Sequence, residues 1–211
     1  MAFETWLAFV AASFAMLIIP GPTVMLVVGY ALGEGRKAAF GTMAGVLLGD
    51  LVAISLCAIG LGALLAASAT VFTVFKWAGA AYLVWLGVKL WRAPVNPQGS
   101  ALQGIEQVAA SGRSKRAIHG FIVTALNPKG LAFFVAFLPQ FMTADAPVLP
   151  QLAVLAPTFV VLGGLTNAAF ILAAGGVRVR LRRPSVLRAI NRVGGSFLIG
   201  AGVLTATMRR G

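Results

Sequence analysis

The chain has 211 residues, 59% of them hydrophobic and 10% charged, with a mean hydropathy of +0.93. A soluble domain carries about 25% charged residues, and a soluble helix keeps one face wet, so this composition excludes a soluble globular class and leaves a membrane protein. The net charge of +12 would raise nucleic acid as a partner in a soluble protein. Here the basic residues gather at the ends of apolar runs, as cytoplasmic loops and anionic headgroups require, so no nucleic acid is expected and the lipid bilayer is.

Six apolar runs can be drawn in chain order. The first, 6–30, has aromatic anchors at both ends and is broken by Pro20-Gly21-Pro22. It is preceded by no basic segment and by Glu4, so it reads as a retained span and not as a cleaved signal. The second, 38–66, holds glycines at 41, 45 and 49 and a single charge, Asp50. The third runs over 70–91. A polar segment rich in Pro and Gly follows, and 93–116 is expected to be a flexible cytoplasmic linker. The fourth run, 117–141, is broken by Asn127-Pro128-Lys129; the fifth, 151–177, is interrupted by Pro157; the sixth is 190–208. The expected fold is therefore one membrane domain, an all-α integral membrane protein of six transmembrane helices with helices 1 and 4 interrupted.

The charges orient it. Arg36 and Lys37 follow the first run. Lys89, Arg92, Arg113, Lys115 and Arg116 surround the linker, and six arginines between 178 and 192 lie between runs five and six. Thirteen of the 17 basic residues thus fall on one side, and the positive-inside rule places both termini outside the cytoplasm. Three runs on each side of the linker predict two inverted three-helix repeats, because an odd number of spans reverses the second half. The residues 77–88 align without a gap on 192–203, matching Gly79 with Gly194, Leu83 with Leu198 and Gly87 with Gly202. The prolines correspond too, Pro22 early in one half and Pro128 early in the other.

Chemistry is expected at the breaks and at Asp50. Pro20 and Pro22 cannot donate to the carbonyls of Met16 and Ile18, nor Pro128 to that of Thr124. Free carbonyls in lipid need protein or water partners. Helices that restart after Pro22 and Pro128 offer amides, those of Thr23 and its successors and those beyond Lys129, to a carboxylate. An ionisable residue inside a span is a functional-site hypothesis by default. Asp50 has three readings: it binds a substrate ammonium, carries a coupling proton, or pairs with Lys76 or Lys129. Lys129 either anchors a carboxylate or snorkels to an interface. Thr166 and Asn167 read as an interhelical hydrogen-bonding pair. The Gly41, Gly45, Gly49 stripe favours close helix contact, which turns the adjacent Asp50 towards the bundle. His119, the sole histidine, and Cys57, the sole cysteine, read as a helix-end group and a packing residue. Neither can complete a metal shell, so no metal and no cofactor is expected. No P-loop and no hydrolytic triad stands out.

At this point the chain resembles the LysE/RhtB family of amino-acid exporters. The likeness is carried by Pro20-Gly21-Pro22, by Gly33 to Gly41, by Gly45-Val-Leu-Leu-Gly49-Asp50 and by Gly60 to Leu65. It continues through Lys76 to Lys89, Gly120 to Lys129, Phe137-Leu-Pro139-Gln140-Phe141 and Ile190 to Gly195. The resemblance implies export of an amino acid or close derivative across the bacterial inner membrane, as an antiport energised by an ion gradient, with the proton as the expected ion. It implies no enzymatic activity and no cofactor. Pro20, Gly21, Pro22, Thr23, Asp50, Asn127, Pro128, Lys129 and Asn167 are the residues expected to bind substrate or couple it, although Asn167 stands where members often carry an acidic residue. Substrate identity and oligomeric state are left open, a homo-oligomer included. The alternative reading is a membrane-embedded lipid-modifying enzyme or an assembly factor, which would need an acid–base pair or metal cluster that the sequence does not present.

Overall fold

The computed structural model describes residues 1–67, 69–93, 112–143, 146–175 and 184–207. Most of the predicted linker and four arginines of the last connection lie outside the described residues, as does the side chain of Lys76. Among the described residues the structure is helical, with no strand. The helices are α1 (Phe3–Ile18), α2 (Pro22–Gly33), α3 (Arg36–Ala67), α4 (Ala69–Trp91), α5 (Arg113–Ala125), α6 (Pro128–Phe137), α7 (Val148–Leu172) and α8 (Pro184–Thr207); a 3-10 turn, Leu138–Phe141, extends α6.

Two apolar runs are each split into a bent pair. The chain turns by 52° between α1 and α2, and by 44° between α5 and α6. Both breaks fall where proline removes the donor that would continue the helix, and both restart with proline as the first helical residue. Pro157 behaves differently: α7 runs through it unbroken, which corrects the interruption expected there. A single proline costs one hydrogen bond, to the Ala153 carbonyl, and the neighbouring Thr158 hydroxyl ties that turn by donating to the Val154 carbonyl at 2.7 Å. At residues 20–22, two prolines flank a glycine and no such tie is present.

Among the described residues, Arg36–Gly62 and Val148–Leu172 are long and apolar enough to cross a membrane, and each bent pair qualifies when its two members count as one span. The packing pairs the halves reciprocally. α3 lies against α5 and α6, α7 lies against α1 and α2, and α3 packs on α7 as α4 packs on α8. Glycine brings the backbones close. A Cβ on Gly45 would overlap the Ala117 carbonyl of α5, and one on Gly49 would lie 2.9 Å from the Phe121 carbonyl. Between α4 and α8, a Cβ on Gly87 would meet the Gly195 carbonyl at 2.7 Å, and one on Gly202 the Ala80 carbonyl at 2.7 Å. The main core gathers around α6. Phe133, Phe134, Phe137, Phe141, Phe9 and Phe159 pack there with ring centroids 4.8 to 6.1 Å apart.

Candidate functional site

The two breaks face each other, and Lys129 spans them. Its Nζ donates to the Met16 carbonyl at 3.0 Å and to the Ile19 carbonyl at 2.6 Å. Met16 is the residue whose carbonyl Pro20 cannot serve, so a cation from one half completes the broken helix end of the other. Gly21 makes room for it: a Cβ there would lie 3.1 Å from Lys129 Cε and 3.2 Å from Nζ. The side chain therefore crosses to the opposite break and does not snorkel to an interface.

Asn127 caps α6, its Oδ1 accepting from the Lys129 amide at 3.1 Å. Its Nδ2 reaches the Thr23 hydroxyl at 3.3 Å, and Thr23 Oγ1 also lies 3.2 Å from Thr124 Oγ1. The first turn of α2 has no side-chain cap, so its leading amides keep their positive end for another partner. The Thr124 carbonyl accepts from the Asn127 amide at 3.1 Å, so the turn itself repairs the bond that Pro128 removes.

Beside this junction lies a cavity of about 560 Å³, within the range of small-molecule sites. Pro20, Gly21, Pro22, Asn127, Pro128 and Lys129 form one wall. Apolar side chains form most of the rest: Met25 and Leu26 from α2, Leu86 and Leu90 from α4, Val123 from α5 and Leu198 from α8. His119 closes one end, its Nδ1 3.1 Å from the Tyr30 hydroxyl. It thus belongs to the cavity and not to a solvated helix end, the environment expected from its position in the sequence. Beyond it Arg116 pairs with Glu34 at 3.0 Å, and Arg36 donates to the Leu172 carbonyl at 2.8 Å. Among the described residues no acidic side chain lines the cavity.

Asp50 and Asn167 do not line it. Asp50 is buried between α3 and α7, its Oδ2 directed at Gly163, where a Cβ would lie 3.0 Å away. The cause is helical rotation: one residue past Gly49 turns the side chain about 100° from the stripe that packs on α5. The Lys129 charge reaches Asp50, but the two make no direct ion pair; the pair described is Arg116 with Glu34. Asn167 lies one turn beyond Gly163, its Nδ2 donating to the Gly163 carbonyl at 2.8 Å, and Thr166 bonds back to Leu162 at 2.7 Å. Both donors thus bond within their own helix where an interhelical pair was expected, and Asn167 Oδ1 is left without a partner. Sequence reasoning missed Thr124, Tyr30 and the leucines of α4 and α8. Only the packing of α2, α4, α5 and α8 around the cavity marks these residues.

An all-helical chain with two bent apolar pairs around a cavity has the build of a membrane translocator. The LysE type translocator family model matches residues 6–209, and the chain belongs to that family, whose members are translocators and not enzymes. A homoserine/homoserine lactone efflux protein of Salmonella typhi is 32% identical over 99% of both chains. An uncharacterized membrane protein of Vibrio cholerae serotype O1 is 31% identical over 99% of this chain and 100% of its own. A leucine efflux protein of Salmonella choleraesuis is 33% identical over 67% of this chain and 65% of its own. No solved structure matches the chain.

Proposed function

We propose that this protein is a secondary transporter exporting an amino acid or close derivative across the bacterial inner membrane, as an antiport driven by an ion gradient with the proton as coupling ion. The observation that carries the reading is Lys129, a cation at the wall of the cavity, held by the carbonyls of a broken helix from the other half. A substrate carboxylate competes with those carbonyls for the ammonium and adds the uncapped amides of α2 as a second donor set. Binding then loosens the grip of Lys129 on the end of α1, which links occupancy of the cavity to the angle of the α1–α2 hinge.

The cavity also sorts side chains. Among the described residues its wall is apolar apart from Lys129, His119 and Asn127, and none of them is acidic. A basic side chain would be buried there without a counter-charge, which is costly. The substrate is therefore an amino acid with an apolar or neutral side chain, in line with the homoserine and leucine efflux proteins among its relatives. Asp50, outside the cavity yet within reach of the Lys129 charge, is the residue that exchanges the ion.

The six-span arrangement belongs to the same reading. Reciprocal packing of α3 with α5 and α6, and of α7 with α1 and α2, supports two inverted halves. α4 and α8 then serve as the third and sixth spans. Counterflow in proteoliposomes, with labelled leucine, homoserine and lysine under an imposed pH gradient, tests the proposal. Uptake of the neutral amino acids, enhanced by the gradient and absent for lysine, is expected. No counterflow with any amino acid would overturn it.

A further inference from the structure

Away from the cavity, three helices that meet around Gly163 carry oxygen atoms without partners among the described residues. Asp50 Oδ2 faces Gly163 of α7, beside Leu17 of α1. The carboxylate makes no hydrogen bond or ion pair with any described residue. Asn167, 2% exposed, uses Nδ2 on the Gly163 carbonyl and leaves Oδ1 without a partner. Ser13, 0% exposed and one turn before Leu17 on the buried face of α1, also has an unpartnered Oγ.

Their level in the bundle is fixed by their neighbours one turn away. Phe9, Ile54 and Phe159 share one hydrophobic cluster. Four residues along each helix from these come Ser13, Asp50 and Gly163. The aromatic cluster supplies no donor from its side. On the other side Lys129 directs its Nζ to the Met16 and Ile19 carbonyls.

A buried carboxylate without a direct partner, on helices that also carry two buried unpartnered acceptors, is stabilised by positive charge that several oxygens can share. One proton on Asp50 would make a single hydrogen bond and serve one of the two. A small hard cation takes several oxygen ligands at once. We propose that Ser13, Asp50 and Asn167 form a cation site, separate from the substrate cavity, that binds dehydrated Na⁺ in competition with the proton. The site rests on the reading of Asp50 as the ion-exchanging residue and adds to it two further ligands and a second ion. Both ions run inward down their gradients, so either drives the same antiport.

The test uses the purified full-length protein in detergent, with thermal unfolding followed by tryptophan fluorescence in NaCl, KCl or choline chloride at equal ionic strength and fixed pH. Saturable stabilisation by Na⁺ alone is expected, lost in Asp50→Asn. In Ser13→Ala and Asn167→Leu the Na⁺ concentration for half-effect should rise about tenfold, the scale of one lost contact to a charged group. Binding of radiolabelled ²²Na⁺ to the same variants gives a second readout where a variant is too unstable to melt cleanly. Equal melting in Na⁺ and K⁺, with no ²²Na⁺ binding by the wild type, would overturn the site. If pH-driven export persisted in the wild type and failed in Asp50→Asn, that result would leave the proton-coupled reading standing.

Discussion

Among the described residues, half-buried Lys129 on α6 and buried Asp50 on α3 carry charge inside the bundle, and each meets its surroundings differently. The ammonium is satisfied by two carbonyls of a broken helix end, whereas the carboxylate has the Gly163 surface before it and no donor. Removing one charge therefore has a different consequence from removing the other. Asp50→Asn keeps the size of the side chain and deletes the charge to be neutralised. The folded protein should survive, while export driven by a pH gradient falls at least about a hundredfold, the scale of a lost essential proton carrier, and exchange between labelled and unlabelled substrate persists. Lys129→Gln deletes the cation that meets the carboxylate, so both gradient-driven export and exchange should fall. Measuring the two modes in proteoliposomes for both variants separates the roles. Asp50→Asn exporting at the wild-type rate would make Asp50 structural.

Elements are held together here by glycine contacts more than by polar ones. A Cβ at Gly45 would occupy the position of the Ala117 carbonyl, so α3 and α5 can keep their separation only with glycine there. Gly60, on the same helix, has nothing within 4 Å of a built Cβ. Gly45→Ala should lower stability by about 1–3 kcal/mol through overpacking, whereas Gly60→Ala should be neutral or slightly stabilising, since alanine favours the helix by up to about 1 kcal/mol. Thermal unfolding of the two detergent-solubilised variants checks both signs, and equal losses would remove the close-packing argument. The same contrast shows what sequence can and cannot carry. The breaks at Pro20-Gly21-Pro22 and at Asn127-Pro128 were legible because proline removes a specific local hydrogen bond, and the glycine stripe because its spacing marks one face. Pro157 shows the limit of that logic: one missing bond within a well-packed helix leaves it straight enough to continue. Which neighbour Asp50 faces depends on the rotation of α3 against α7. Which carbonyls Lys129 reaches depends on the meeting of two breaks about a hundred residues apart. Ser13 looks like any small residue in an apolar run until its hydroxyl is seen buried without a partner.

For the molecule as a whole, charged and polar ties mark one end, aromatic packing marks the other, and the cavity lies between them. At one end Glu34 meets Arg116, Arg36 caps the carbonyl of Leu172, and Tyr30 meets His119; at the other, six phenylalanines pack around α6. The first end carries basic residues beside the connections that hold most of the arginines and lysines of the sequence, and the positive-inside rule predicts that it faces the cytoplasm. In that orientation the His119 end of the cavity is the side on which an exporter would load its substrate, and the phenylalanine cluster lies towards the side of release. Such an arrangement predicts the location of the termini. If each bent pair crosses the bilayer once, α1 begins and α8 ends at the face opposite the basic end, and both termini are expected outside the cytoplasm. A reporter that is active only in the periplasm, fused after Gly211, should be active. The same reporter inserted between Gln98 and Gly99, in the connection that divides the halves, should be silent. The reverse pattern, from two fusions that are equally expressed and stable, would invert the molecule in the membrane. The cavity would then face the exterior, and the direction of transport would have to be import.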